Sequence, residues 1–203
     1  MDDDQPLRIV LIGVALIVVP IMAYHRIRSQ ATRERLDRWQ EGPFILFTLR
    51  GVGVAAMLGL LVYMIDPAWM AWSSVRLPGW LRWAGAGVGV LAGGLLIWTV
   101  RTLGPNLTDT VVTRKAHVLV TTGPYRWVRH PFYDASGLAI LASSVAAANW
   151  FVFLTGGLAF ILMIVRTRIE ERHLLARFGD SYQAYAQQTG RFLPRIGAAG
   201  RRA

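Results

Sequence analysis

The chemistry-bearing residues of this chain gather in two short stretches, TTGPYRWVRHPFYD at residues 121–134 and RTRIEE at residues 166–171. The first sets Tyr125, His130 and Tyr133 beside Arg126, Arg129 and Asp134. The second ends in adjacent carboxylates, Glu170 and Glu171. Together they offer ring faces, an imidazole, guanidinium groups for an anion, and carboxylates for a cation or a hydroxyl. Pro124 and Pro131 stiffen the backbone and prescribe extended geometry at Gly123 and His130. Pro131 also suits the first turn of a helix. Asp134 and the paired carboxylates lie at the ends of a long uncharged run, and ionisable groups at membrane depth are costly and usually functional. The pattern therefore points to a polar ligand site. An interfacial belt of arginines and aromatics explains the arginines equally well, but not these carboxylates.

The elements that must position this site are apolar. With 54% hydrophobic and 17% charged residues in 203, the chain reads as a single membrane domain, residues 1–203. Uncharged runs at residues 9–24, 44–65 (interrupted by Arg50) and 83–100 predict three transmembrane helices within residues 1–100. The run 135–165 would be about 46 Å long as one helix, against a hydrocarbon core of about 30 Å. It is expected to fold as two helices that turn near residues 148–150, with Asn149 at the surface of the turn. The expected fold is all-α: five transmembrane helices, the last two a hairpin, then cytosolic helices at the C-terminus. Residues 195–203 form a basic tail.

The net charge of +10 follows the membrane rather than a nucleic acid. Arginines crowd residues 25–42, 101–130 and 166–203 and thin out at the N-terminus and over 66–82. By the positive-inside rule the crowded segments are cytosolic, with the N-terminus outside and the C-terminus inside. The same charge suits anionic membrane lipid. The acidic flank MDDD argues against a cleavable signal peptide. The sequence has no cysteine, which excludes disulfides and thiolate chemistry, and its four histidines show no ligand spacing, so no metal is expected.

Gly85, Gly87 and Gly89 fall within a transmembrane run with no preceding strand, which favours close helix packing over a nucleotide loop. That face serves an internal contact or a dimer. Asn106-Leu107-Thr108 matches a glycosylation sequon but falls on the predicted cytosolic side. Past the last span a helix is expected to break at Gly179 and resume over residues 181–188. Phe178, Tyr182, Tyr185, Phe192 and Leu193 then fold the tail back onto the site.

The combination HVLVTTGPYRWVRHPFY with RTRIEERHLLARFGDSYQAY resembles the isoprenylcysteine carboxyl methyltransferase family of membrane enzymes. It is more distantly similar to phospholipid and thiol membrane methyltransferases. The resemblance covers about residues 103–194 and makes 101–194 the catalytic half. It implies S-adenosylmethionine held at the cytosolic end of the last two helices, without a Rossmann domain. Matched residue by residue, it implies cofactor contacts at His117, Val118, Leu119, Val120, Tyr125, His130, Pro131, Phe132, Tyr133 and Glu170. A further one falls across a gap at Thr113. Arg166 matches the substrate-binding arginine. Asp134 stands where the family commonly has a small or apolar residue.

The implied acceptor is a lipid-like or prenylated amphiphile. A carboxylate needs no general base, and Arg166 would orient it. A thiol or amine must lose a proton, with Asp134 or His130 as the base. Arg50 either snorkels to the interface or faces the substrate. Glu171 reads equally as a ligand and as a solvated partner of Arg168 or Arg172, and for Arg126 and Arg129 a simple contact with lipid phosphate stands beside a role in the site. Two other readings remain: a nicotinamide-dependent lipid reductase, and a non-enzymatic lipid-binding protein.

Overall fold

The computed structural model describes residues 4–30, 42–107 and 118–195, so the predicted contacts at Thr113 and His117 lie outside it. The described chain is helical: α1 (Asp4–Gln30), α2 (Pro43–Ile65), α3 (Gly79–Leu103), α4 (Pro131–Ala147), α5 (Trp150–Phe178) and α6 (Asp180–Gln188). Among the described residues there is no strand, only two isolated bridges, Ser74 with Asn149 and Val128 with Gly190.

Four helices, α1, α2, α3 and α5, are long and apolar enough to cross a membrane. The fourth helix, α4, has 17 residues, about 25 Å at 1.5 Å per residue. It runs between the same two ends of the bundle as its neighbours. At one end Arg8 donates to the carbonyls of Met64 and Ile65, and Arg82 reaches Asp4, the Tyr63 hydroxyl and the Ala146 carbonyl. At the other lie the polar loops 118–130 and the C-terminal segment.

Local chemistry sets the element boundaries. Pro43 and Pro131 open α2 and α4, where a missing N–H costs nothing. Ala148 closes α4 in the left-handed region at φ 47°. Asn149 then caps α5, its side chain accepting from the Val152 N–H at 3.0 Å. The turn falls where the sequence places it, but Asn149 is not at the surface. It is 3% exposed, and its amide donates to Ser73 Oγ at 2.8 Å, in the 3₁₀ turn Pro67–Ser73. A buried amide needs such partners, and the preceding loop supplies them.

α3 packs along α4 and on α1, while α2 packs on α5. A Cβ at Gly85 would stand 3.0 Å from Ala142 O, Ala146 N and Val145 Cγ1, so the glycine lets the two backbones close together. The glycine face of α3 is thus spent inside the chain at Gly85, whereas Gly87 and Gly94 have open space. Within the α4–α5 hairpin, Gly137 gives room to the Phe160 ring and Gly156 to Ile140. These two notches bring α4 and α5 side by side, and with them the residues that follow Pro131 and precede Phe178.

Candidate functional site

Loop 118–130 is built onto the cytosol-predicted end of α3. Val118 N–H donates to Asn106 Oδ1 at 3.0 Å, so the asparagine of the sequon motif serves the backbone. The 3₁₀ turn Gly123–Arg126 starts at Gly123 with φ 57°, where a Cβ would meet Thr102 Oγ1 at 2.7 Å. Only glycine meets both demands. The turn buries Pro124 and Tyr125 and leaves Arg126 exposed, its guanidinium 4.0 Å above the Trp127 ring. His130 has ψ 51° rather than the extended value expected before proline. Its carbonyl receives the N–H groups of Tyr133 and Asp134, which draws it into the first turn of α4.

The C-terminal segment is laced to this loop. Arg129 N–H donates to Gly190 O at 2.9 Å, His130 N–H to Arg191 O at 3.1 Å, and Gly190 N–H to Trp127 O at 3.4 Å. Tyr185 donates its hydroxyl to Tyr125 O at 2.7 Å. Phe192 lies against the His130 ring at 5.8 Å, but Leu193, expected to pack here too, is 79% exposed.

Glu171 sits at the centre of the lacing. Its Oε1 accepts from Arg129 Nε at 2.9 Å, from Arg191 Nε at 3.1 Å and from His130 Nε2 at 3.2 Å, and its Oε2 pairs with Arg191 Nη2. Arg129 also donates to the carbonyls of Ala186 (3.0 Å) and Thr189 (2.6 Å). Neither has the partner that a solvated or lipid-facing reading assigns. Glu171 partners Arg129 and Arg191 rather than Arg168 or Arg172, and the Arg129 side chain is 13% exposed, too enclosed for a lipid contact. A carboxylate only accepts, so His130 Nε2 carries a proton toward Glu171 and Nδ1 faces Glu170, 4.0 Å from its Oε2. Tyr133 donates to the same Oε2 at 2.6 Å and stacks on His130 with ring centroids 5.4 Å apart. Burial and the Glu170 charge hold the Tyr125 phenol well above its usual pKa, and burial pushes Tyr185 up to about 12, so both remain hydroxyls at physiological pH.

Tyr125, Arg129, His130, Tyr133, Glu170 and Tyr185 line one end of a cavity of about 800 Å³, within the roughly 300–1,000 Å³ range of small-molecule sites. Tyr125, His130, Tyr133, Arg166, Glu170 and Tyr182 form its polar wall, with Val118, Leu119, Val120 and Phe132 beside them. The cavity continues between α1 and α2 past Val19, Met22, Leu49, Val54 and Met57, and Arg50 lines it there. Two expected site residues are not on this wall: Pro131, which is buried at the start of α4, and Asp134, which is half-buried. In α4 Asp134 follows Tyr133 by about 100°, and the cavity lining ends at Tyr133. Arg191 is the residue of the lacing that the sequence reading does not single out; Arg129, Glu171 and Tyr182 are singled out there, but not for the partners they have in the structure. Among the described residues no three His, Asp or Glu side chains gather as a metal site.

Residues 85–176 match the model of the isoprenylcysteine carboxyl methyltransferase (ICMT) family. The nickel-cobalt-cadmium resistance protein NccN of Alcaligenes xylosoxydans xylosoxydans is 33% identical over 108 residues, covering 53% of this chain and 51% of that protein. The methanethiol S-methyltransferase of Mycobacterium tuberculosis is 38% identical over 80 residues, covering 39% of this chain and 30% of the relative. The solved structure of the eukaryotic intramembrane Ras methyltransferase ICMT, without a monobody, superposes with a TM-score of 0.51 at 30% identity, over 71% of this chain and 51% of that one. The chain thus spans about half the length of NccN and of the solved enzyme, and less of the thiol methyltransferase. Residues 85–176, which match the ICMT family model, carry Tyr125, His130, Tyr133, Arg166 and Glu170 of the cavity's polar wall, and the chain is similar in fold to the solved ICMT enzyme over 71% of its length.

Proposed function

We propose that this protein is an integral membrane methyltransferase that uses S-adenosylmethionine to methylate a carboxylate on an amphiphile of the isoprenylcysteine type. The observation that carries the reading is the two-part cavity: a polar chamber built mostly from the family segment and completed by α6, opening into an apolar channel between α1 and α2. An acceptor with a charged head and a hydrocarbon tail fits that division. The donor set fits the cofactor as well. Glu170 supplies the negative charge that a sulfonium amino acid requires, Tyr125 and Tyr133 supply flat rings with hydroxyls, and Val118, Leu119 and Val120 line the wall beside them.

When bound, S-adenosylmethionine supplies an electrophilic methyl group on a sulfonium. The chain's own residues orient and shield. Tyr133 holds Glu170 by its 2.6 Å hydrogen bond, so the carboxylate enters the chamber in one orientation. Arg166, one helical turn before Glu170 on the same face, is the group to align the acceptor's carboxylate. The C-terminal lacing closes the chamber over His130 and keeps water from the transfer. A thiol acceptor is the second reading, favoured by the 38% identity to a methanethiol S-methyltransferase. His130 Nδ1, directed into the chamber, would then take the proton.

The five-span arrangement, N-terminus outside and site at the cytosolic face, is part of the same proposal. It is supported by the arginine distribution and by the run of α4 between the two ends of the bundle. Titration calorimetry in detergent should show binding of S-adenosylhomocysteine and none of NADPH, and labelled methyl should pass to a farnesylcysteine analogue. NADPH binding alone would replace the reading with a reductase; transfer to thiols alone would replace the acceptor. Reporter fusions at residues 72 and 198 should fall on opposite sides of the membrane.

A further inference from the structure

The Tyr182 side chain is the one part of the polar chamber that neither the lacing nor the proposed contacts employ. Its residue is 4% exposed, it lies on the cavity wall, and its hydroxyl is buried without a hydrogen-bond partner. Most other enclosed hydroxyls among the described residues are satisfied. Tyr63 receives Arg82, Tyr133 donates to Glu170, Tyr185 to the Tyr125 carbonyl, and Ser73, Thr99, Ser144, Thr167 and Thr189 to backbone carbonyls. A buried phenol without a partner loses its water and regains nothing, so a tyrosine with only a packing role would be better replaced by phenylalanine.

The helix that carries the ring is held in place. α6 is fixed at its far end by Tyr185 on the Tyr125 carbonyl and by Arg129 on the carbonyls of Ala186 and Thr189. Tyr182 lines the cavity together with Tyr125, His130 and Glu170. Glu171 is saturated by Arg129, His130 and Arg191. Burial keeps the phenol protonated, so it offers one donor and two acceptor sites.

We propose that Tyr182 is a further cofactor-binding residue, its hydroxyl hydrogen-bonding a polar group of the S-adenosyl ligand in the chamber. The inference rests on the methyltransferase reading and adds a contact from α6, outside the segment that matches the family model. It makes the C-terminal lacing part of the binding site as well as its cover.

The experiment compares the full-length protein with Tyr182→Phe and Tyr185→Phe in detergent, by titration with S-adenosylhomocysteine and by melting without ligand. Tyr182→Phe should bind about three- to tenfold more weakly, the range for one lost neutral hydrogen bond. Its ligand-free melting temperature should not fall. Tyr185→Phe, which loses an internal bond, should melt lower. Unchanged affinity in Tyr182→Phe overturns the proposal, as does a lowered ligand-free melting temperature, which would reveal an internal partner. If the wild-type protein binds no S-adenosylhomocysteine, the methyltransferase reading itself fails and this inference falls with it.

Discussion

Glu171→Gln tests whether the lacing is a structural unit. The substitution keeps the side chain's size and removes its charge. In the structure that carboxylate takes hydrogen bonds from Arg129, His130 and Arg191, with side-chain exposures of 13%, 3% and 36% against 15% for Glu171. Removing one partner of a buried pair leaves the other charge uncompensated, at about 3–5 kcal/mol. Arg129 keeps two carbonyl acceptors, which recover part of this, and the glutamine oxygen still accepts one bond. The net loss should be about 2–3 kcal/mol, or about 4–12 °C in melting temperature for a chain of this size. Arg191→Ala should cost less, about 0.5–1 kcal/mol, because that guanidinium is partly solvated. The assay is thermal unfolding in detergent, paired with S-adenosylhomocysteine titration. Affinity should fall for Glu171→Gln because His130 loses its anchor. A melting temperature within 1 °C of wild type, with unchanged affinity, would refute the reasoning and return Glu171 to a solvated role.

Three further outcomes are expected. Tyr125→Ala and His130→Ala should each weaken S-adenosylhomocysteine at least tenfold, about 1.4 kcal/mol, whereas the exposed Arg126→Ala should change it little; equal small effects in all three would favour an interfacial belt. Gly190→Ala should lower the melting temperature and cofactor affinity together, since a Cβ there would stand 1.6 Å from Leu193 O and must force the tail turn apart; wild-type behaviour would show that the tail is not held as described. Glu170→Gln should lose cofactor affinity while Arg166→Ala keeps it and loses turnover, most of all with carboxylate acceptors; full turnover of a thiol by Arg166→Ala would remove the carboxylate assignment.

Much of the helical frame is legible in the sequence because apolar length and turn residues act locally. The uncharged runs find α1, α2, α3 and α5, the excessive length of 135–165 demands a turn, and Gly179 ends α5. What is not legible there is which residue answers which across the chain. Asn149 is polar and sits in a turn, so exposure is the natural expectation, yet Ser73, 76 positions away, makes burial affordable. The polar wall is legible by motif, since Tyr125, His130, Tyr133, Arg166 and Glu170 do converge on one cavity. Asp134, singled out for its depth, is not on that cavity although Phe132, on the other side of Tyr133, is, and neighbourhood to Tyr133 in the sequence does not tell the two apart.

Helical position divides the two glutamates. Adjacent residues on a helix point about 100° apart, and here Glu170 lines the cavity whereas Glu171 does not. Arg166 precedes Glu170 by one turn, which gives that carboxylate the cavity face. The face of Glu171 then needs its own partners, and the charges that complete it come from the loop before α4 and from the tail, at Arg129 and Arg191. Neither is near Glu171 in sequence, whereas Arg168 and Arg172 are, and nearness in sequence suggests the wrong pair. Arg168 is exposed, and a solvated pair contributes little; Glu171 with the enclosed Arg129 and the partly solvated Arg191 joins three chain segments at one point. A carboxylate that accepts from His130 on one side of the wall and from the tail on the other ties the geometry of the chamber to the closure of the C-terminus. Loss of the tail's grip should therefore be read first at the cofactor, before the apolar channel between α1 and α2 is disturbed.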